Sequence, residues 1–347
     1  MAHTVIKPER IVATAAELLE QKLVVPALFQ REGIDQFKGS AGDAYSVVVP
    51  GVLPYRRYGW RNDRSAPIQF DEYSERKVTV TFGDNVYSAV KLTDEQKDFD
   101  FGGSFGRLVN AQTDAIRRGL EHEAVDALTG APYEVTIAAG ANAGIRNVAI
   151  QARAALNKLN VPDGERVLLI GTAFEEKALL DDALALAQNS GERRSLAALE
   201  RAAIGELYGL TIVVSQEIAP HSAYAFVRSA FVFLNGVPTV PQSVPFGAAA
   251  TAESSLGGRG IGLRWLQDYD TLYFQDRSVF NTYPGFRYVD DPMVSVDENK
   301  NGVVSTDNHF VRAVKITLAT SGTATTVTTT TNNEELSEIT GITLAGS

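Results

Sequence analysis

Two strand-like runs, one ending at Val49 and the other opening at Val78, are separated by roughly 25 residues rich in arginine and aromatic side chains. A long amphipathic helix follows almost at once. A connection of that length carries closure entropy and cannot bury its own backbone polar groups in a compact domain, so it must reach for a partner. Tyr45 to Leu92 therefore reads as one extended arm. It points to assembly before catalysis.

The arm's outgoing strand is Tyr45 to Val49, and Pro50, Pro54 and Pro67 then deny a regular ladder to the residues beyond it. Its tip is the block Tyr55-Arg56-Arg57-Tyr58-Gly59-Trp60-Arg61-Asn62-Asp63-Arg64, with four arginines against one aspartate. The return limb, Val78 to Phe82 and then Val86 to Leu92, has the alternation and β-branched content of paired strands. Ser104 caps the helix that follows, and Phe105, Leu108, Val109, Ile116, Leu120, Ala124 and Leu128 put an apolar stripe along it. Such a rod is about 38 Å long at the standard rise. Gly130 and Pro132 stop it, and Arg107, Asp114, Arg117, Arg118, Glu121, Glu123 and Asp126 are assigned to its charged face.

With 347 residues, 44% hydrophobic and 21% charged, the chain can bury a core of two ordinary domains. It has no cysteine, which removes disulfides, thiolate metal sites and cysteine nucleophiles, and its four histidines are isolated. No run of 18 or more apolar residues exists, and Met1 to Arg10 lacks a secretory layout, so the chain is expected to be soluble and cytoplasmic, without a membrane partner. A net charge of -10 disfavours a protein whose main task is gripping phosphate backbones.

Elsewhere, Pro8 to Lys22 reads as a helix from Ile11, Ala15, Leu18 and Leu19, ended by Pro26. From Asn142 the texture is mixed α/β: a helix Arg146 to Leu159, a strand Arg166 to Ile170, helices near Phe174 to Gln188 and Ser195 to Ile204, and strands Thr211 to Ser215, Tyr224 to Val227 and Ala230 to Leu234. Val237 to Gly258 reads as a proline-, alanine- and glycine-rich connection. Strands are expected at Gly262 to Gln267, Thr271 to Gln275 and Val279 to Tyr283. A valine-rich hairpin, a strand Phe310 to Leu318 and the threonine run Thr323 to Thr331 then form a tail.

Catalytic constellations are not assembled by these residues. Gly257-Gly258-Arg259-Gly260-Ile261-Gly262 fits neither phosphate-loop pattern and precedes a strand, where those motifs precede a helix. Asp268-Tyr269-Asp270 has no nearby histidine or lysine to tune a carboxylate and reads as a polar turn. Asp297-Glu298-Asn299-Lys300-Asn301-Gly302 copies half of a calcium loop, with Asp297, Asn299 and Asn301 as ligands. However, position twelve is Asn308 and the flanks are not helices, so a hairpin turn using Asn-Gly is the plainer reading. Neither a cofactor nor an enzymatic activity is expected.

The tip remains: Tyr55, Arg56, Arg57, Tyr58, Trp60, Arg61 and Arg64. Aromatics interleaved with arginine suit stacking on single-stranded nucleic acid, and the same composition marks protein interface hot spots. Acidic partners for self-association are available in Asp71, Glu72, Glu75, Glu121, Glu123 and Asp126, and the global charge favours protein contact.

The order of these parts resembles the major capsid proteins of tailed bacteriophages, with the Hong Kong ninety-seven type fold, and within them the coat-protein subfamily like that of phage P-twenty-two. The local matches are Leu159-Asn160-Val161-Pro162-Asp163-Gly164-Glu165-Arg166, Ile204-Gly205-Glu206-Leu207-Tyr208-Gly209-Leu210, and Gly262-Leu263-Arg264-Trp265-Leu266-Gln267-Asp268-Tyr269-Asp270, closed by Gly285. The likeness spans about residues 5 to 290. It implies an α+β fold: N-terminal arm 1–42, extended β loop 43–95, peripheral domain 96–140 and 259–291 with spine helix 104–129, axial α/β domain 141–258, and a C-terminal β-rich extension 292–347.

The resemblance also implies a function. The chain would self-assemble, as pentamers and hexamers, into an icosahedral virion shell around double-stranded DNA, built in the host cytoplasm with scaffolding and portal proteins as partners and without sequence-specific DNA binding. A nanocompartment shell of the same fold, or a nucleic-acid-binding module using the arm tip, are the alternatives. Some relatives cross-link a lysine of the extended loop to a neighbour's asparagine. Lys77 and Lys91 sit on the return limb instead of the tip and read as solvated.

Overall fold

The computed structural model describes residues 8–33, 44–60, 64, 67–96, 105–181, 205–244, 246–253, 259–296, 300–322 and 326–329. Along the chain come α1 (Pro8–Lys22), β1 (Gln30–Gly33), β2 (Ala44–Val49), β3 (Arg76–Thr81), β4 (Val86–Thr93), α2 (Phe105–Thr129), β5 (Val135–Ala139), α3 (Ile145–Lys158), β6 (Arg166–Ile170) and α4 (Thr172–Leu179). These are followed by β7 (Glu206–Leu207), β8 (Leu210–Val214), β9 (Ser222–Val227), β10 (Phe231–Gly236), β11 (Phe246–Glu253), β12 (Arg259–Asp270), β13 (Gln275–Tyr288), β14 (Asp291–Val296), β15 (Gly302–His309), β16 (Ala313–Leu318) and β17 (Thr326–Thr329). Both α1 and α2 start and stop where proline, glycine and the apolar stripe place them. Among the described residues no helix is long and apolar enough to cross a membrane.

Two compact units share these elements. The first gathers Met1–Tyr45, Thr79–Gly130 and Phe231–Arg287; the second gathers Ser46–Val78, Ala131–Ala230 and Tyr288–Ser347. In the first unit a six-stranded sheet runs β1-β10-β13-β12-β11, with β4 also paired to β13. The core under it is aromatic: Phe29 stacks on Phe231 at 4.9 Å between centroids, and Phe233 on Phe286 at 4.7 Å. Helix α1 lies on β11 and β12. Its buried Ala15 and Ala16, and Ala248 and Ala252 of β11, keep that approach close.

Helix α2 is fastened in the same unit by polar side chains as well as by its stripe. The Gln112 carboxamide donates to Ser88 O of β4 at 3.1 Å and to Ser278 O of β13 at 3.0 Å. Ser278 Oγ donates to Gln112 Oε1 at 3.0 Å and accepts from Trp265 Nε1 at 2.9 Å. Each buried polar atom in this chain of bonds is partnered, so its burial costs little.

The second unit is a seven-stranded mixed sheet ordered β17-β5-β16-β9-β6-β8-β7, with α3 against β5, β16 and β9. The match at Leu159 to Arg166 has a physical basis here. The buried Arg166 guanidinium bonds Asn157 Oδ1 at 2.7 Å, Pro162 O at 2.9 Å and Val161 O, holding the turn before β6. The match at Ile204 to Leu210 is the β7–β8 hairpin, whose two-residue turn puts Tyr208 at φ 52° and Gly209 at φ 75°. Both positive angles belong to the tight turn that suits a right-twisted hairpin.

Several expectations need correction. Strand β4 is not part of the arm: it pairs along its whole length with β13, from Gln275↔Thr93 to Thr282↔Val86, so the arm's ladder is β2–β3 alone. Lys91 therefore lies in the sheet of the first unit. The supposed connection Val237 to Gly258 contains β11, which pairs with β12; an alanine-rich strand has too little contrast in hydrophobicity to show a period. Thr271 to Phe274 is a turn between β12 and β13 and not a strand.

Described strands of the expected C-terminal extension are built into the sheet of the second unit. β16 sits inside the sheet between β5 and β9, parallel to one and antiparallel to the other, and β17 pairs with β5. Strand β5, Val135–Ala139, is not among the strands expected from the sequence. The boundaries move accordingly: residues 231–253 join the first unit and 292–329 the second, against the expected 141–258 and 292–347. The helix expected from Phe174 to Gln188 is α4, which ends at Leu179, and the expected helix Ser195 to Ile204 lies outside the described residues.

Glu20 of α1 is a sensitive point of the first unit. Its carboxylate takes Arg31 Nη1 at 2.5 Å and Ile261 N at 3.2 Å, all buried. Glu20→Ala leaves the Arg31 guanidinium buried without a counter-charge and is expected to cost about 3–5 kcal/mol. Urea unfolding of the unassembled subunit measures it.

Candidate functional site

The root of the arm is the two-stranded ribbon β2–β3, with Val49, Val78 and Val80 buried. Just beyond it, Gly51 lies so close to Ser74 O that a Cβ would not fit, which draws the two limbs together. Past that point the described residues of the arm form no ladder. Proline supplies the reason, since Pro50, Pro54 and Pro67 lack the N–H a ladder needs.

What the arm carries is exposed apolar surface. Trp60 is 91% and Phe70 88% exposed, and Val52, Leu53, Tyr55, Tyr58, Ile68 and Tyr73 are exposed as well. A cleft of about 430 Å³ opens between the limbs, lined by Arg56, Arg57, Tyr58, Pro67, Ile68, Gln69 and Asn301. Single exposed apolar residues are ordinary; here eight of them fall between Val52 and Tyr73.

The charged residues fall into three groups. Arg56 and Asp71, expected to seek separate partners, pair with each other: Nη2 lies 2.7 Å from Oδ1 and Nε 3.2 Å from Oδ2. That two-pronged bond lowers the Asp71 carboxyl below its ordinary range and raises the Arg56 guanidinium, the hydrogen bond being the main cause. Glu121 is buried, 1% exposed, and accepts the N–H groups of Val24 at 2.5 Å and Val25 at 3.1 Å. It is a structural carboxylate of the first unit, unavailable to a neighbour. Glu72, Glu75, Glu123 and Asp126 are exposed, with Glu75 accepting from Tyr73 OH at 3.3 Å and Asp126 lying 3.6 Å from His122.

Arg57 is exposed and its backbone N–H donates to Asn301 Oδ1 at 3.0 Å. Arg64 is exposed with φ 53°. Arg61 lies outside the described residues, as do Asp297 and Asn299 of the half calcium loop. The hairpin is present but Asn-Gly is not its turn: the connection is residues 297–301, Gly302 already pairs with Val296, and Asn301 accepts a bond from the arm. Asp268 to Asp270, expected as a polar turn, are the last paired residues of β12; Asp268 and Asp270 flank Arg277 at 2.9 and 3.5 Å, and Asp270 Oδ1 accepts from Leu272 N at 3.1 Å in the turn that follows.

That turn holds a feature the sequence reading missed. Leu272, Tyr273 and Phe274 are all exposed at the tip of β12–β13, with Phe274 at φ 48°. Three large apolar residues in a row passed for strand; only the register of β12 and β13 puts them in the connection.

The model of the family described as phage capsid protein matches residues 86–279, more than half of the chain. The chain belongs to that family. It is a subunit of a phage head shell, and its fold is the Hong Kong ninety-seven type. Among solved structures, a protein of Mycobacterium phage Che8 superposes with a TM-score of 0.57 at 15% identity, covering 85% of this chain and 91% of the other. The capsid of cyanophage P-SCSP1u gives 0.56 at 10%, covering 86% and 89%, and the mature capsid of bacteriophage PhiM1 gives 0.53 at 10%, covering 87% and 88%. At such identities the likeness is one of fold. No curated protein sequence matches the chain.

In this capsid protein the Arg56–Asp71 pair is open to solvent, so its worth depends on pH and salt. The folded Asp71 carboxyl titrates below its ordinary range, so the pair is intact above that range and is lost as pH falls through the depressed value. NMR titration of the unassembled subunit should show Asp71 moving up toward an ordinary carboxylate in Arg56→Ala.

Proposed function

We propose that the arm from Pro50 to Glu75 is the main inter-subunit clasp, through which copies of this chain close into an icosahedral head around double-stranded DNA. Trp60 carries this reading: a large aromatic of the arm, almost wholly in water, with Phe70 matching it in exposure. Tryptophan and tyrosine in that position are the residue types that anchor interfaces once desolvated. The Leu272–Phe274 turn, held by Asp270 and carried by the other unit, supplies a second apolar contact.

The role is mechanical. Many interfaces of modest size stay reversible while a shell forms and become strong together. Pentamers and hexamers are the arrangement in which one chain can tile such a shell, and scaffolding and portal proteins are the partners that set its size and its opening. A net charge of -10 keeps the shell from adhering to packaged DNA. It also weighs against the nucleic-acid-binding reading, as does Arg56, whose guanidinium is taken by Asp71.

Negative-stain electron microscopy of the purified protein should show shells or capsomers. Trp60→Ala combined with Phe70→Ala should leave the fold intact and weaken association by about 2 kcal/mol per contact, roughly 30-fold each, raising the concentration needed for assembly. Normal assembly of that variant would refute the clasp. Trp265, 2% exposed, and Trp60 are the chain's two tryptophans. In a Trp265→Phe background, Trp60 fluorescence should therefore shift to the blue on assembly, and an unchanged spectrum in assembled particles would count against burial of the tip.

A further inference from the structure

Beyond the β2–β3 ribbon the described residues of the arm form no ladder that would carry its direction outward, and its apolar side chains lie in water. Several contacts of its described residues follow one element of the second unit, the β14–β15 hairpin. At the root, Arg76 pairs with Asp290, the residue before β14, at 2.5 Å. Farther out, Val52 lines a recess of about 300 Å³ together with Asp291, Pro292 and Met293. Beyond that, Gly302 N donates to Tyr55 O at 2.8 Å, and Arg57 N donates to Asn301 Oδ1 at 3.0 Å.

The order matters. Residues 52, 55 and 57 of the outgoing limb meet the hairpin first at its base, 291–293, and then at its turn end, 301–302, so the limb runs along the hairpin from root to tip. The two outer hydrogen bonds use backbone groups of the arm, and Trp60 a few residues on stays 91% exposed. Glycine is required at 302, since a Cβ there would stand 2.8 Å from Tyr55 Cδ1 and 3.0 Å from Tyr55 N.

We propose that the β14–β15 hairpin is a strut that sets the direction of the arm in the free subunit, with Asn301 and Gly302 as its positioning residues. The inference rests on the reading of the arm as a clasp. A segment that orders only on binding loses affinity to the ordering, whereas a preset arm meets its neighbour with that cost already met.

Hydrogen–deuterium exchange on the full, unassembled chain tests it. In the wild type the Arg57 amide should be protected. In Asn301→Ala/Gly302→Val, amides of Tyr55 to Tyr58 should exchange at least about tenfold faster and assembly should slow by about as much, while protection of β6, β9 and β16 and the thermal midpoint stay unchanged. Asp290→Asn, which cuts only the half-exposed tie to Arg76, should shift both readouts in the same direction by less, and keeps the test readable if the double variant does not fold.

An Arg57 amide that exchanges at the free-peptide rate in the wild type overturns the strut, as does a variant with a loosened arm that assembles at the wild-type rate. If Trp60→Ala/Phe70→Ala is defective while Asn301→Ala/Gly302→Val assembles normally, the strut fails and the clasp stands. If the Trp60→Ala/Phe70→Ala variant assembles normally, the clasp itself fails.

Discussion

Glu121 shows what the first unit depends on. Helix α1 ends at Lys22, and the chain must turn sharply to enter Phe29 and β1, leaving the N–H groups of Val24 and Val25 in the interior. The Val25 group is buried and the Val24 group partly so, and the α2 carboxylate takes both. Nine residues earlier on the same helix, Gln112 bonds backbone carbonyls of β4 and β13. These polar groups register a long rod against a sheet along which an apolar stripe alone could slide. Directional bonds in a low-dielectric interior fix position in a way that apolar contact does not.

The second unit solves a different problem, that of closing a sheet from distant pieces of chain. β5 follows α2, β6 to β9 come next, and β16 arrives only after the whole of β10 to β13 has been laid into the other unit. Because β16 lies between β5 and β9, the second unit's sheet is complete only when the C-terminal portion is in place. The hairpin β14–β15 is on the path of that return, which places it beside the arm residues of the same unit.

Much of this was legible in the chain. Helices α1 and α2 carry strong periodicity and proline or glycine stops, and their residues matched the expectation at both ends to within one position. Arg166–Ile170 was legible because a run of buried apolar residues between turn signals has few other readings. Strand β11 was not, since alanine contrasts weakly with its neighbours, and β4 was given to the arm because sequence adjacency outweighed a pairing partner almost 200 residues away. The candidate surface was legible in composition and not in pairing. Arg56, Asp71 and Glu121 all looked available, and two of the three are engaged with each other while the third is buried.

The sequence by itself determined that this chain has a basic, aromatic, proline-broken arm followed by a stiff amphipathic rod, and no cysteine. Those are local properties, set by residue type and spacing. Only the tertiary structure decided which strands the arm contains, which of its charges remain open to a neighbour, and that Gly302 and Asn301 lie against it. Such facts come from contacts between residues far apart in the chain, and the energy that selects them is shared among many weak terms that no short stretch of sequence displays.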